Sequence, residues 1–200
     1  MHPGVGEHHN GFRGKWQEGR SAVWIVSSLP YLSPRQEGEV DAWTEEAASA
    51  GRVGTQRLRG VSLEVPPSDV CSALGLAPGE VAVSRRRTML LDGQPVELTD
   101  SWYPTGIAEG TALATPEKIK GGAVTLLADM GYEVHEARED IVFRGATEDE
   151  AAELGLTPGT PVIVLSRTCL NVEGVAFEAS VMVMIAEERH LRYRLVAGSR

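Results

Sequence analysis

Two stretches of this chain repeat one another, and that repeat limits the folds open to it. Residues 73–97 read ALGLAPGEVAVSRRRTMLLDGQPVE and residues 153–178 read ELGLTPGTPVIVLSRTCLNVEGVAFE. Leu74-Gly75-Leu76 answers Leu154-Gly155-Leu156, Pro78-Gly79 answers Pro158-Gly159, and Arg87-Thr88 answers Arg167-Thr168. After a slip of one residue, Gly93 and Glu97 answer Gly174 and Glu178. Each copy reads as a helix end, a Pro-Gly turn, a strand, a short turn and a returning strand. Two copies are too few for a solenoid, which needs at least three units to bury its faces. A single sheet built from two similar halves is the expected result, with a small-molecule cleft between them.

The rest of the chain extends this pattern. Strands are expected near residues 55–66, 81–91, 96–103, 132–145, 161–170, 176–185 and 191–196, with a possible first strand at 22–29. Helices are expected near 40–49, 68–74, 107–113, 123–130 and 148–154. Asp92-Gly93 is a hairpin signal. Thr147 followed by Glu150 forms a capping box, and Gly131 stops the helix before it. The hairpins are antiparallel and the elements do not alternate strictly, so the fold class is α+β: a central antiparallel sheet flanked by helices. Residues 1–50 read as a linker-like N-terminal extension, partly flexible, and 54–197 as the folded domain. His2, His8 and His9 fall in a Gly-rich lead-in that reads as a flexible stretch more readily than as a metal site.

Composition narrows the function classes. The formal net charge is -9, which argues against the chain gripping nucleic acid by itself, since duplex binding rests on many phosphate contacts from Lys and Arg. Of its 19 basic residues 16 are Arg and only 3 are Lys, which favours forked pairing with carboxylate or phosphate. Cys71 and Cys169 lie outside any C-x-x-C and read as buried thiols in a reducing compartment. No signal-peptide pattern and no apolar run of membrane-spanning length is present. A cytoplasmic protein without membrane contact is expected. No motif implies a cofactor or a metal.

The segments RRRTMLLDGQPVELTDSWYP, GGAVTLLADMGY and ATEDEAAELGLTPGTPVIVLSRTCLNVEGVAFEASVMVMIAEERHLRYRL, in this order and spacing, resemble the UTRA domain. That is the effector-binding domain of the HutC subfamily of GntR-type bacterial transcription regulators. The resemblance implies a chorismate lyase-like fold with a ligand pocket between its halves. It also implies a homodimer, for which Val181 to Ile185 offers an apolar stretch able to extend a sheet at an edge. Family members touch DNA through an N-terminal winged helix-turn-helix. Nothing before residue 54 reads as one, so DNA is expected as a partner only through a domain absent from this chain.

The resemblance further implies site residues. Two Arg commonly face the pocket, five and three residues before the turn Asp. Counting back from Asp92, these positions hold Arg87 and Met89. Arg85 lies one step further along the same strand face, whereas Arg86 points to the opposite face. The alternative for these Arg is pairing with Glu97 or Glu64. Glu178 matches a pocket carboxylate, or else pairs with Arg167 or Arg87. Met184 stands where relatives often have Tyr. With Met89, it implies a ligand smaller or less anionic than a sugar phosphate. Ser101 and Tyr103 match the family's Ser-Tyr positions, Tyr103 being equally suited to the core. Gly121 and Gly122, preceded by Lys118 and Lys120, open a helix whose free N–H groups and dipole suit an anion.

Catalysis would require a placed acid or base. His135 and His190 are both expected to be exposed, and no nucleophile–base order is present, so the chain reads as a sensor and not an enzyme. A dimerisation or interaction module with an empty pocket, and least of all a lyase-like enzyme, are the alternatives.

Overall fold

The computed structural model describes residues 24–26, 28–36, 38–187 and 189–193; the His-rich lead-in and residues 194–196 lie outside them. Among the described residues there are eight strands: β1 (Trp24–Val26), β2 (Gly54–Glu64), β3 (Ala82–Leu91), β4 (Gln94–Pro104), β5 (Glu136–Gly145), β6 (Pro161–Leu170), β7 (Ala176–Ile185) and β8 (Arg189–Leu191). Five helices accompany them: α1 (Ala42–Ser49), α2 (Ser68–Leu74), α3 (Thr105–Ala108), α4 (Gly122–Asp129) and α5 (Glu148–Leu154). Short 3-10 turns lie at Leu29–Tyr31 and Ala112–Ala114.

Six strands form one antiparallel sheet in the order β2-β3-β4-β7-β6-β5. This order is a pseudo-twofold. The half β2-β3-β4 meets the half β7-β6-β5 along the β4–β7 seam, where Ser101 lies opposite Ser180. The duplicated hairpins are therefore the inner strands of each half. The first turns at Asp92-Gly93, both with positive φ (51° and 80°), as a two-residue turn matched to strand twist demands. Each hairpin is preceded by an equivalent helix, α2 or α5, ended by a left-handed glycine, Gly75 or Gly155. Thr147 and Glu150 close the capping box on α5.

The sheet has two unlike faces. On one, α2 packs over Ala82, Trp102 and Ala179, and α5 over Leu98, Val162 and Val183. On the other, α3 and α4 cover only one end, through Val83, Tyr103, Leu113, Leu127, Cys169 and Phe177. At the opposite end α1 lays Trp43 and Ala47 against Met89 and Leu91. The approach of α1 is close enough to require a glycine: a Cβ on Gly54 would sit 2.6 Å from the Ala47 Cβ and 2.9 Å from the Trp43 carbonyl oxygen. Trp43 Nε1 donates to the carbonyls of Thr55 (2.9 Å) and Leu90 (3.2 Å). Tyr31 and α1 thus belong to the packed body, although the sequence around them reads as a linker. Upstream, β1 pairs in parallel with β8. The middle of this second face remains open.

One expectation about the sheet changes. Val181–Ile185 is not an edge: β7 is hydrogen-bonded on both sides, to β4 and to β6. An apolar run of this kind is buried at the centre of a sheet, not at its rim. The exposed apolar edge is instead on β5, where Ile141, Val142 and Phe143 are 38%, 55% and 69% exposed. Among the described residues no helix is long and apolar enough to cross a membrane.

Candidate functional site

Alternation along β3 sends Arg85, Arg87 and Met89 to the open face and Ser84, Arg86 and Thr88 to the helical face. Arg86 accordingly pairs with Glu64 (2.7 Å) and Asp100 (3.5 Å) on the far side. The open face holds a concave cleft of about 980 Å³, the open space at its mouth included, and concave clefts are where small molecules bind. Its floor is the β3–β4–β7–β6 surface, contributing Arg87, Glu97, Ser180, Glu178 and Arg167. One wall is the start of α4, from Gly121 to Val124. The other wall comes from the N-terminal segment, through Tyr31, Arg35, Asp41 and Trp43. A second chamber of about 700 Å³ adjoins it, lined by Leu58, Arg85, Tyr103 and Lys118, with Gln56, Arg87, Gly122 and Ala123 shared between the two.

A row of hydroxyls crosses the seam between the halves. Arg87 Nη2 donates to Ser101 Oγ (3.1 Å), Ser101 Oγ and Ser180 Oγ are hydrogen-bonded (2.7 Å), and Ser180 Oγ donates to Glu178 Oε1 (2.9 Å). The expected residues Arg87, Ser101 and Glu178 are therefore brought together, joined through Ser180. Neither Arg87 nor Glu178 has an ion-pair partner among the described residues, and Arg87 Nε is buried without a hydrogen bond. The expected alternative for Glu178, a bridge to Arg167 or Arg87, is not formed. Arg167 Nε donates instead to Glu139 (2.6 Å), and its guanidinium carbon lies 6.0 Å from the Tyr31 ring centroid.

The other charges of the cleft are matched. Glu97 accepts from Thr99 (2.8 Å) and faces Arg189 at 3.5 Å. Arg35 pairs with Glu45, and Asp41 caps α1 and faces Lys118 at 3.7 Å. The Tyr31 hydroxyl donates to Glu46 (2.7 Å), and burial, reinforced by Glu46 and Glu97, pushes its phenol well above the ordinary value.

Arg85 is placed differently from the expectation of a ligand contact. Its Nη1 donates to the carbonyls of Ala112 (3.0 Å), Leu113 (3.0 Å) and Thr115 (2.5 Å), and its Nη2 to that of Glu117 (2.9 Å). A guanidinium buried on four carbonyls has little donor capacity left for a ligand. Burial also lowers its pKa from the ordinary value. It braces the segment leading to α4. Tyr103 is buried in the core at the rim of the smaller chamber, its phenol pushed up by burial and by Glu178. Gly121 and Gly122 have positive φ (75° and 83°) and line the cleft. Gly121 is the N-cap and supplies no side-chain acceptor. Gly122 N–H donates to the Ile119 carbonyl (3.1 Å), so the N–H groups of Ala123 and Val124 are the ones left for a ligand at this helix start.

The comparisons with known proteins point one way. The UTRA domain family matches residues 49–190, well over half of the chain. The chain belongs to the UTRA domain family. An HTH-type transcriptional regulator of Streptomyces coelicolor is 30% identical over 153 residues, covering 74% of this chain and 57% of that protein. One from Mycobacterium tuberculosis is 31% identical over 134 residues, covering 64% and 46%. The chain thus spans about half the length of the curated relatives it matches. In fold, this UTRA domain is similar to PhnF from Mycobacterium smegmatis (TM-score 0.71, 19% identity, 90% of this chain and 74% of that one). It is also similar to the ligand-binding domain of a GntR-family regulator from Bordetella bronchiseptica (TM-score 0.63, 22% identity, 83% and 95%). The curated relatives are HTH-type transcriptional regulators, and the solved structures share the fold of this UTRA domain. Sequence reasoning missed Tyr31, Arg35, Gln56, Trp43 and Arg189 as lining residues. The one available signal was the two aromatics in a segment otherwise read as a linker.

Proposed function

We propose that this UTRA domain is the effector-sensing part of a HutC-type transcription regulator, and that the effector sits on the seam between the two halves. The observation that carries this reading is the pair Arg87 and Glu178. Two charges stand in one cleft without ion-pair partners, and they are joined by two serine hydroxyls. Unmatched charges in a concave, partly buried site are costly unless a ligand completes them. Binding, not turnover, is the task this fits: among the described residues no His, Cys or Lys lines the main cleft, and His135 and His190 are exposed.

Signalling would act through the N-terminal wall. Tyr31, Arg35 and Trp43 line the cleft, and Arg189, which faces Glu97, sits on β8, the strand paired with β1. A ligand bound there stabilises one placement of the segment that leads upstream, which in HTH-type relatives bears on the DNA-binding part. This is a population shift driven by differential contacts. Such a regulator works in the cytoplasm as a homodimer. We place the dimer contact on the β5 edge, where an exposed apolar row beside unpaired backbone groups suits a second copy of the strand.

Two measurements test the reading. A thermal-shift screen against sugar phosphates, organic acids, amino acids and apolar metabolites should give a ligand-dependent rise in Tm, lost in Arg87→Ala. A rise that survives Arg87→Ala would move the site elsewhere. Light scattering should find a dimer that Phe143→Asp converts to monomer; an unchanged dimer would place the interface on another surface.

A further inference from the structure

We propose that the ligand of the cleft is a zwitterion of the α-amino-acid type carrying an apolar side chain. The inference rests on the effector reading and narrows it. The uncompensated charge in the cleft is one guanidinium, Arg87, and one carboxylate, Glu178, so a ligand that satisfies both carries one negative and one positive group. Arg87 offers a forked donor to a carboxylate. The α4 start beside it adds N–H groups to the same end. Glu178 accepts from Ser180 with one oxygen (2.9 Å), leaving lone pairs suited to an ammonium group. The two are separated by three short hydrogen bonds across neighbouring strands, a gap that a carboxylate and an amine on one carbon can bridge.

The charge balance also speaks against a phosphate monoester. A dianion would meet a single unpaired cation and face Glu178, with Glu97 nearby, leaving negative charge buried without a partner. Among the described residues that line the main cleft, the other basic groups, Arg35, Arg167 and Arg189, each face a carboxylate, although Arg35 Nε and Arg189 Nη1 make no hydrogen bond. Arg85 in the adjoining chamber is held by carbonyls. Beyond the charged seam the floor turns apolar, through Met89, Leu165, Met182 and Met184. Methionines adapt their shape to a hydrocarbon or aromatic side chain.

The test is calorimetric titration of the wild-type chain with L-leucine and L-phenylalanine, each beside its analogue lacking the amine, 4-methylpentanoate and 3-phenylpropanoate. Glucosamine 6-phosphate is the contrasting probe. An amino acid should bind about tenfold or more tightly than its des-amino analogue, the scale expected of one charge-assisted hydrogen bond. Glu178→Gln should remove that difference while keeping carboxylate binding, and Arg87→Gln should abolish both, with melting curves confirming that the variants fold. Equal affinity for amino acid and analogue in the wild type overturns the inference. Binding of glucosamine 6-phosphate alone, lost in Arg87→Gln, overturns it while leaving the cleft as the effector site. If no probe binds, the inference fails, and the broad screen on Arg87→Ala decides the effector reading separately.

Discussion

The two halves of the sheet carry an arginine, a glutamate and a hydroxyl residue at matching places and use them in opposite ways. In the first half these are Arg87, Glu97 and Thr99; in the second, Arg167, Glu178 and Ser180. In both, the residue two past the glutamate donates its hydroxyl to that glutamate, at 2.8 and 2.9 Å. The arginines then diverge. Arg167 lies opposite Glu139 on β5 and is paired with it, the two side chains only 10% and 11% exposed. Arg87 lies opposite Leu58 on β2, the equivalent place, and finds no carboxylate. The glutamates diverge the other way: Glu97 has Arg189, and Glu178 has no ion-pair partner among the described residues. One charge is left open in each half, positive in the first and negative in the second. A symmetric scaffold thereby acquires a site with direction, and two positions outside the duplicated hairpins, Leu58 and Glu139, decide which arginine remains open.

Altering those positions should break the comparison in a graded way. The largest effect is expected from Glu139→Leu, which makes the second half resemble the first. It strands Arg167 in a buried site, and removing one partner of a buried pair costs about 3–5 kcal/mol. Urea unfolding should show that loss, and a change below about 1 kcal/mol, the scale of an exposed pair, would mean that water already screens this one. Next comes Leu58→Glu, which makes the first half resemble the second. A carboxylate opposite Arg87 should occupy the open guanidinium and weaken ligand binding about tenfold, as one charged hydrogen bond is diverted. Stability should change little, and unchanged affinity would show that Arg87 is not the anion-binding group.

The smallest effect sharpens the comparison through pH. Burial raises the Glu139 carboxyl, but Arg167, with hydrogen bonds from Ser28 and Arg167, outweighs it and holds the group below the ordinary carboxylate value. A depressed carboxyl contributes stability above its unfolded pKa of about 4.3 and loses it as pH falls through the lower folded value. The stability difference between wild type and Glu139→Leu should therefore be constant near neutrality and shrink below about pH 4. A difference that persists at low pH would trace to packing instead of charge.

Much of this frame was legible in the residues themselves. The duplicated hairpins, the Asp92-Gly93 turn and the Thr147–Glu150 box specify local geometry, so β6, β7 and α5 fall where periodicity and capping place them. Alternation along β3 separated Arg86 from Arg87 for the same reason. Contacts between elements distant in sequence were not legible. Nothing near Arg85 in sequence announces the carbonyls of residues 112–117, and nothing near Val181–Ile185 says that β4 and β6 will flank it. Likewise the segment around Trp43 is short and polar, and its place in the cleft depends on Gly54, a small residue whose meaning appears only when α1 packs on it. Glu178 differs again: its family position was recognisable, but its freedom depends on Arg167 being claimed by β5.

The brace made by Arg85 has a consequence for tolerance. Arg85 and Arg87 are neighbours on one face of one strand. The first grips the segment that ends in Gly121-Gly122, and the second faces the ligand. The two donors of the anion-binding end, a side chain and a helix start, are thus mounted on the same beam. A displacement of β3 would carry both the side chain and the segment tied to it. Drift in sequence elsewhere in the domain can alter what the far end of the cleft accepts without detuning how the acid group is held.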